Sequence, residues 1–128
     1  MTKPEPNADA DVARLVSITP TDSGRDGVVV LSVSGELDML STDALTERLD
    51  EALKPPNTAV VLDLTGVRFL GSAALSALLK GAETAKANDI RFPLVATDHA
   101  TLRPFEVTGI SSSFTIHPSV SEALASLG

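Results

Sequence analysis

The order of strand and helix patterns predicts an α/β fold: a mixed β-sheet of four to five strands packed with about four α-helices. Two apolar segments near the N-terminus are separated by turn residues, which is typical of an antiparallel hairpin. Strands and helices then alternate, which favours parallel strands joined by crossover helices. The chain has 128 residues, the size of one domain. We expect residues 1–10 to be a disordered lead-in and residues 11–128 to form the single domain.

The hairpin is predicted from two strand patterns. Val12–Thr19 alternates weakly between apolar and polar residues, and Val28–Gly35 begins as an apolar run that then alternates. Asp22–Gly27 lies between them and contains an Asp-Gly pair. The polar half of the second strand indicates that one face of the sheet is less well covered.

A helix and a buried strand follow. Ser41 or Thr42 can cap a helix that runs to about Leu53, where Pro55-Pro56 ends it. Thr58–Leu64 reads as a strand buried on both faces. The apolar residues of the helix recur at helical spacing: Leu45, Leu49, Ala52 and Leu53.

The second helix is predicted from Ala73 to about Ala87, opened by Gly71 and Ser72. The segment before it, Val67–Leu70, reads as an apolar plug. The predicted buried stripe of this helix comprises Leu75, Leu78, Leu79 and Ala82.

The last third of the chain predicts shorter elements. These are a strand at Ile90–Ala96, a helix at Thr101–Val107 interrupted by Pro104, a strand at Phe114–Ile116 and a helix at Ser119–Leu127. Gly109 is expected to end the first of these two helices.

Composition excludes several classes of function. The absence of Cys excludes disulfides, thiolate catalysis and Cys-based zinc sites. The net charge is −7, basic residues occur singly, and there is no Trp or Tyr, so neither nucleic acid nor a membrane is expected as a partner. The N-terminus has no secretory signal pattern and no apolar run is long enough to span a bilayer, which favours a cytoplasmic protein.

The acidic excess is local. Between Glu36 and Glu51 there are six acidic residues and one basic residue. This segment is either a solvated helix face or a docking surface for a basic partner.

Motifs for catalysis are incomplete. Gly66–Gly71 has the glycine spacing of a phosphate loop, but Ser72 and Ala73 stand where the loop needs Lys and Ser or Thr. The two histidines lack the spacing of a metal pair. Glu36 and Asp38 are more simply explained as turn and cap residues than as a catalytic carboxylate pair. We therefore expect no enzyme activity, no metal and no cofactor.

Ser72 is the most informative single residue. Its position at a helix start is typical of an N-cap, where the hydroxyl accepts a backbone N–H. The same position favours a phosphorylation site, because a phosphate there meets free N–H groups and the positive end of the helix dipole. The two interpretations are compatible.

Three stretches together resemble the STAS domain family, in its single-domain form as a bacterial anti-sigma factor antagonist. Gly35–Asp38 is similar to the family's G-E-L/I-D. Val61–Leu75 is similar to its strand, D-L/F-S/T, apolar plug and D-S-S/A-G-L loop. Phe105–Ile110 is similar to its F-x-x-x-G-L. The resemblance covers about Val12 to Leu127 and implies a STAS-like fold.

The resemblance implies a protein-binding switch. Such a protein captures an anti-sigma factor, commonly a serine kinase with the histidine-kinase-like ATPase fold, and so frees a sigma factor. Phosphorylation of a serine in the D-S-S/A-G-L loop ends the capture. The predicted partner-binding residues are Glu36, Asp38, Gly71, Ser72, Ala73, Ala74, Ser76 and Lys80.

The switch loop departs from the family pattern. Gly71 stands where the family has Asp, Ala73 where it has the usual phosphate acceptor, and Ala74 where it has Gly. Either Ser72 is the acceptor or the protein is not switched by phosphate at this loop. The second alternative favours a STAS subunit of another assembly, such as a lipid-transport ATPase or a stress-signalling scaffold.

Overall fold

A computed structural model of the chain describes residues 16–128. Its strands are β1 (Val16–Asp22), β2 (Val28–Leu37), β3 (Ala59–Leu70), β4 (Leu94–Val95) and β5 (Ile116–His117). Its α-helices are α1 (Thr42–Ala52), α2 (Ser72–Ala87), α3 (His99–Thr108) and α4 (Val120–Ala125), with a 3₁₀ turn at Ile110–Ser113. The expected lead-in at residues 1–10 lies outside the described residues, as does the predicted start of the first strand.

The strands form one sheet in the order β1-β2-β3-β4-β5. The first pair is antiparallel and every later pair is parallel. This topology confirms the predicted mixed sheet with its N-terminal hairpin. In the hairpin turn, Gly24 and Gly27 adopt φ values of 78° and 75°, a conformation that glycine tolerates best.

β3 is longer than predicted. It continues past Leu64 to Leu70, because β2 also continues to Leu37 and the two strands stay paired across two irregularities in register. The predicted plug at Val67–Leu70 is therefore the end of a strand. Within it, Phe69 is 51% exposed.

α1 and α2 pack against each other. The predicted buried stripe of α1 is confirmed. In α2, however, Leu79 and Ala82 are only half-buried. The helix instead turns small residues toward α1: a Cβ added at Gly81 would lie 3.2 Å from Cδ1 of Leu49. The buried residues of α2 are Ala74, Leu75, Leu78, Gly81 and Ala85.

The short C-terminal strands differ from their predictions. The strand predicted at Ile90–Ala96 is reduced to β4, with an isolated bridge at Arg91. Pro93, which has no N–H to donate, separates the two. The strand predicted at Phe114–Ile116 is shifted to β5.

The last two helices also differ in extent. α3 is continuous through Pro104 and longer than predicted. The missing N–H of Pro104 would have bonded the carbonyl of residue 100 in the first turn, so the helix loses one bond near its start. Gly109, with a φ of 76°, ends α3 as expected. α4 begins one residue later than predicted because Ser119 is its N-cap, accepting the N–H of Glu122 at 3.1 Å, and it ends earlier, at Ala125.

The two faces of the sheet are covered unequally. The main core lies between the sheet and α1, α2 and α3, and includes Leu62, Leu78 and Phe105. The other face holds a small cluster in which Ala123 of α4 packs on Val30, Val61 and Val95. The uneven cover predicted from the second strand is thus confirmed. No helix in residues 16–128 has the length and apolarity needed to cross a membrane.

Candidate functional site

The ends of β2 and β3 place the candidate site at one edge of the sheet. These strands are parallel, so both end at the same edge, where α1 and α2 begin. The N–H of Gly71 donates to the carbonyl of Leu37 at 2.8 Å, which ties the start of α2 to the end of β2. The Glu36–Asp38 stretch and the Ser72 loop, far apart in sequence, are therefore neighbours.

Ser72 is the first residue of α2 and is exposed. The predicted N-cap role is wrong, because the cap position is occupied by Gly71 in an extended conformation and no side chain caps the helix. The first-turn N–H groups consequently keep room for an acceptor. The Ser72 side chain lies at the surface, next to the positive end of the helix dipole.

Gly71 is favoured by limited space rather than by backbone conformation. Its φ of −85° is open to any residue. A Cβ at this position would lie 3.2 Å from the ring of Phe69 and 3.3 Å from the carbonyl oxygen of Leu37. The absence of a side chain lets the Phe69 ring lie against the start of α2.

Asp38 organises the loop before α1. Its Oδ1 accepts the N–H groups of Leu40 and Ser41 at 2.9 and 3.1 Å. The buried Ser41 hydroxyl donates to the carbonyl of Glu36 at 2.7 Å. The Thr42 hydroxyl donates to the carbonyl of Asp38 at 2.5 Å. Asp38 is thus a turn residue, which the sequence predicted beside its partner-binding role.

Three large apolar side chains are exposed at this edge, and we call them the apolar patch: Met39, Leu40 and Phe69. They are 82%, 69% and 51% exposed, respectively. The sequence reasoning missed them. An apolar pair directly after the Asp38 turn, between the end of a strand and the start of a helix, was the signal that could have found Met39 and Leu40.

The remaining predicted partner-binding residues divide by exposure. Ser76 and Lys80 are exposed and follow Ser72 at four-residue steps, so they lie on one outward stripe of α2. Glu36 and Ala73 are half-buried. Ala74 is fully buried, so its side chain is removed from the surface that a partner could reach.

Within residues 16–128, no group of three or more His, Asp or Glu side chains could hold a metal ion. His99 is the first residue of α3 and is exposed, whereas His117 is half-buried in β5.

The edge therefore combines exposed apolar side chains, an exposed serine at an uncapped helix start and a hydrogen-bonded loop that fixes them in place. Exposed apolar patches of this kind mark protein–protein contact sites. The fold and the site define a protein-binding module.

Comparison with known proteins gives its family. The family model for the STAS domain matches residues 19–123, and the chain belongs to the STAS domain family. The anti-sigma-F factor antagonist RsfB of Mycobacterium tuberculosis is 36% identical over 108 residues, covering 84% of this chain and 88% of RsfB.

Solved structures agree with this assignment. The crystal structure of an anti-sigma factor antagonist from Mycobacterium paratuberculosis superposes with a TM-score of 0.78 at 35% identity, covering 87% of this chain and 92% of that one. The phosphorylated form of SpoIIAA from Bacillus gives a TM-score of 0.67 at 16% identity, covering 88% and 100% of the two chains, and shows the shared fold.

Proposed function

We propose that this protein is an anti-sigma factor antagonist that binds an anti-sigma factor through the edge around Ser72 and so releases a sigma factor. The observation that carries the proposal is the exposed Ser72 at the uncapped start of α2, beside the apolar patch. The relatives at 35–36% identity are named as antagonists of this kind. The role is one of binding rather than catalysis, and it belongs in the cytoplasm, where RNA polymerase works.

We infer that the partner is a serine kinase with the histidine-kinase-like ATPase fold and that it phosphorylates Ser72. A phosphate adds about two negative charges, which the helix N-terminus tolerates. The fold of the antagonist therefore survives modification. In the complex, by contrast, the phosphate places a hydrated dianion against the partner where a neutral hydroxyl lay before. Its charge and its water shell end the binding.

The alternative is a STAS subunit of another assembly. It is favoured by Ala73 at the family's usual acceptor position, because alanine has no hydroxyl. The exposed hydroxyl of the adjacent Ser72 supports the switch instead.

The proposal is tested by reconstitution with the anti-sigma-F factor of M. tuberculosis, the class of partner that the name of RsfB gives. The purified chain is titrated into a preformed complex of this anti-sigma factor with its sigma factor. We expect stoichiometric release of the sigma factor without ATP. With ATP, we expect release to fade as phosphate accumulates on Ser72, and to persist for Ser72→Ala.

Two results would contradict the proposal in different ways. If the chain binds neither this anti-sigma factor nor that of the source organism, the proposed antagonist function is wrong. Binding without any phosphate transfer to Ser72 would be consistent with the antagonist function but would rule out phosphorylation of Ser72 as its switch.

A further inference from the structure

We propose that the docking surface continues from the apolar patch along the outer face of α1, and that it fits a partner surface with an apolar hollow bordered by Lys and Arg. The inference rests on the proposed function, because it takes the partner to be the anti-sigma factor. It adds the chemistry by which that partner recognises this chain.

Hydrogen bonds fix the backbone that carries Met39 and Leu40 of the apolar patch. Met39 and Leu40 follow the turn that the Asp38 carboxylate closes, and Ser41 behind them is fully buried. Their backbone is therefore fixed before a partner arrives, which lowers the entropy cost of binding. Two adjacent apolar side chains held out to water in this way are suited to fill a hollow in another protein.

The outer face of α1 carries a row of acids that continues from this patch. Asp43, Glu47 and Asp50 lie at positions i, i+4 and i+7, and each is exposed. The row is opposite the buried Leu45 and Leu49. At 1.5 Å per residue it extends about 10 Å along the helix.

Local helix stability does not account for this row. Asp43 and Glu47, four residues apart, repel each other, as do Glu47 and Glu51. Asp50 and Glu51 lie near the C-terminal end of α1, where the helix dipole disfavours negative charge and where the last turn has no basic residue. Asp43, by contrast, lies in the first turn, where the helix dipole favours an acid. Glu47 and Asp50 thus cost the helix some stability, a cost that a binding role explains.

The exposed charges of α2 differ from those of α1, so the docking surface has two electrostatically different sides. The outward stripe of α2 begins with Ser72 and Ser76 and continues with Lys80, Glu83 and Lys86, so it has one net positive charge, whereas the row on α1 has only acids. A partner can match both only if its basic residues lie on the α1 side of its apolar hollow. Charge complementarity therefore selects a basic occupant and sets its orientation.

The acidic row is tested with Glu47→Gln/Asp50→Asn. Its matched control is Asp26→Asn/Glu106→Gln, which removes the same charge from the exposed hairpin turn and from α3. The probe is the anti-sigma-F factor of M. tuberculosis. We expect about tenfold weaker binding at low salt, mainly through slower association, and a smaller loss of affinity as salt is raised. The control binds as the wild type does, and the melting temperature of the α1 variant is unchanged or higher.

The apolar patch is tested with Met39→Ala/Leu40→Ala. Val107→Ala is the control, because Val107 is 69% exposed but lies on α3. We expect the patch variant to bind more than about thirtyfold more weakly, as truncation of an interface hot spot does. The Val107 variant binds normally, and both variants melt close to the wild type because the removed atoms are exposed.

The results separate this inference from the proposed function. If the α1 variant binds with wild-type affinity and salt dependence, the acidic row is not part of the interface and the inference is wrong, while the antagonist function stands. If sedimentation shows a dimer that Met39→Ala/Leu40→Ala dissociates, a second copy occupies the patch and the inference is also wrong. If the wild type binds no anti-sigma factor, the proposed function fails and the inference falls with it.

Discussion

Ser72 occupies the one turn of α2 where a negative charge suits the helix. We expect Ser72→Asp to weaken binding to the anti-sigma factor by well over tenfold while leaving the melting temperature unchanged or slightly higher, because an acid near a helix N-terminus is favourable. Ser121→Asp is the control: it adds the same charge at an exposed serine in the first turn of α4, which packs on the other face of the sheet. Equal affinities for the wild type and Ser72→Asp in calorimetric titration would exclude a charge-based switch.

Asp38 acts on stability through one oxygen. Its Oδ1 accepts two backbone N–H groups in the loop before α1. Asp38→Ala leaves both without this acceptor and is expected to lower the free energy of unfolding by about 1–2 kcal/mol. Asp38→Asn keeps an acceptor oxygen and is expected to lose less than half of that. Denaturant unfolding measures both, and similar losses would mean that the charge, not the turn, stabilises the loop.

Individual residues of the site were predictable only where a motif marks them. Ser72 and Asp38 stand in recognisable patterns at element ends. Hydropathy alone does not predict the exposure of Met39 and Leu40, because apolar residues are normally assigned to the core; their place directly after the Asp38 turn is the signal that does. Gly71 occupies the N-cap position instead of Ser72, because the hydrogen bond from the Gly71 N–H to the Leu37 carbonyl sets where α2 begins.

At the scale of elements, α4 depends on side chains from elsewhere in the chain. Arg25 of the hairpin turn donates to the carbonyls of Leu124 and Gly128 at 2.7 and 2.8 Å. Arg91 donates to the carbonyl of Ser126 at 3.3 Å. Cations at a helix C-terminus also complement its dipole. A helix of six residues is too short to be stable alone, so these contacts help to hold it on the sheet.

We therefore expect Arg25→Met to loosen α4 selectively. The substitution keeps an aliphatic side chain but removes both hydrogen bonds, at a cost of about 1 kcal/mol for exposed groups. Hydrogen exchange at the amides of Ala123 and Ser126 should accelerate, while exchange in α2 stays as in the wild type. Arg103→Met, an exposed arginine of α3, is the control. Uniform acceleration in both helices would indicate global destabilisation instead.

Element types were predictable from periodicity, and their ends were less so. The buried stripe of α1 follows from spacing alone because the helix packs on one side. The extension of β3 to Leu70 depends on β2 remaining alongside it, a partner that lies some 30 residues away in sequence. The division of the fourth strand at Pro93 could have been anticipated, because proline cannot donate to a ladder.

For the whole molecule, the order of elements was enough to predict the sheet. Alternating strands and helices after a hairpin leave few topologies open, and the sheet has the predicted antiparallel hairpin followed by parallel strands. The family resemblance, not the order of elements, grouped Glu36 and Asp38 with Ser72. The structure brings them together because the parallel strands β2 and β3 end at one edge. The chemistry of that edge did not follow, because it depends on which side chains the packed core leaves at the surface.

The hairpin turn lies at the end of the sheet opposite Ser72. β2 begins just after this turn and ends at the docking edge. The chain contains no cysteine, so Asp26→Cys would introduce a unique thiol on an exposed residue of the turn. A fluorophore or a surface-immobilisation linker attached there would leave the opposite edge free, so capture and release of a partner could be followed on single tethered molecules.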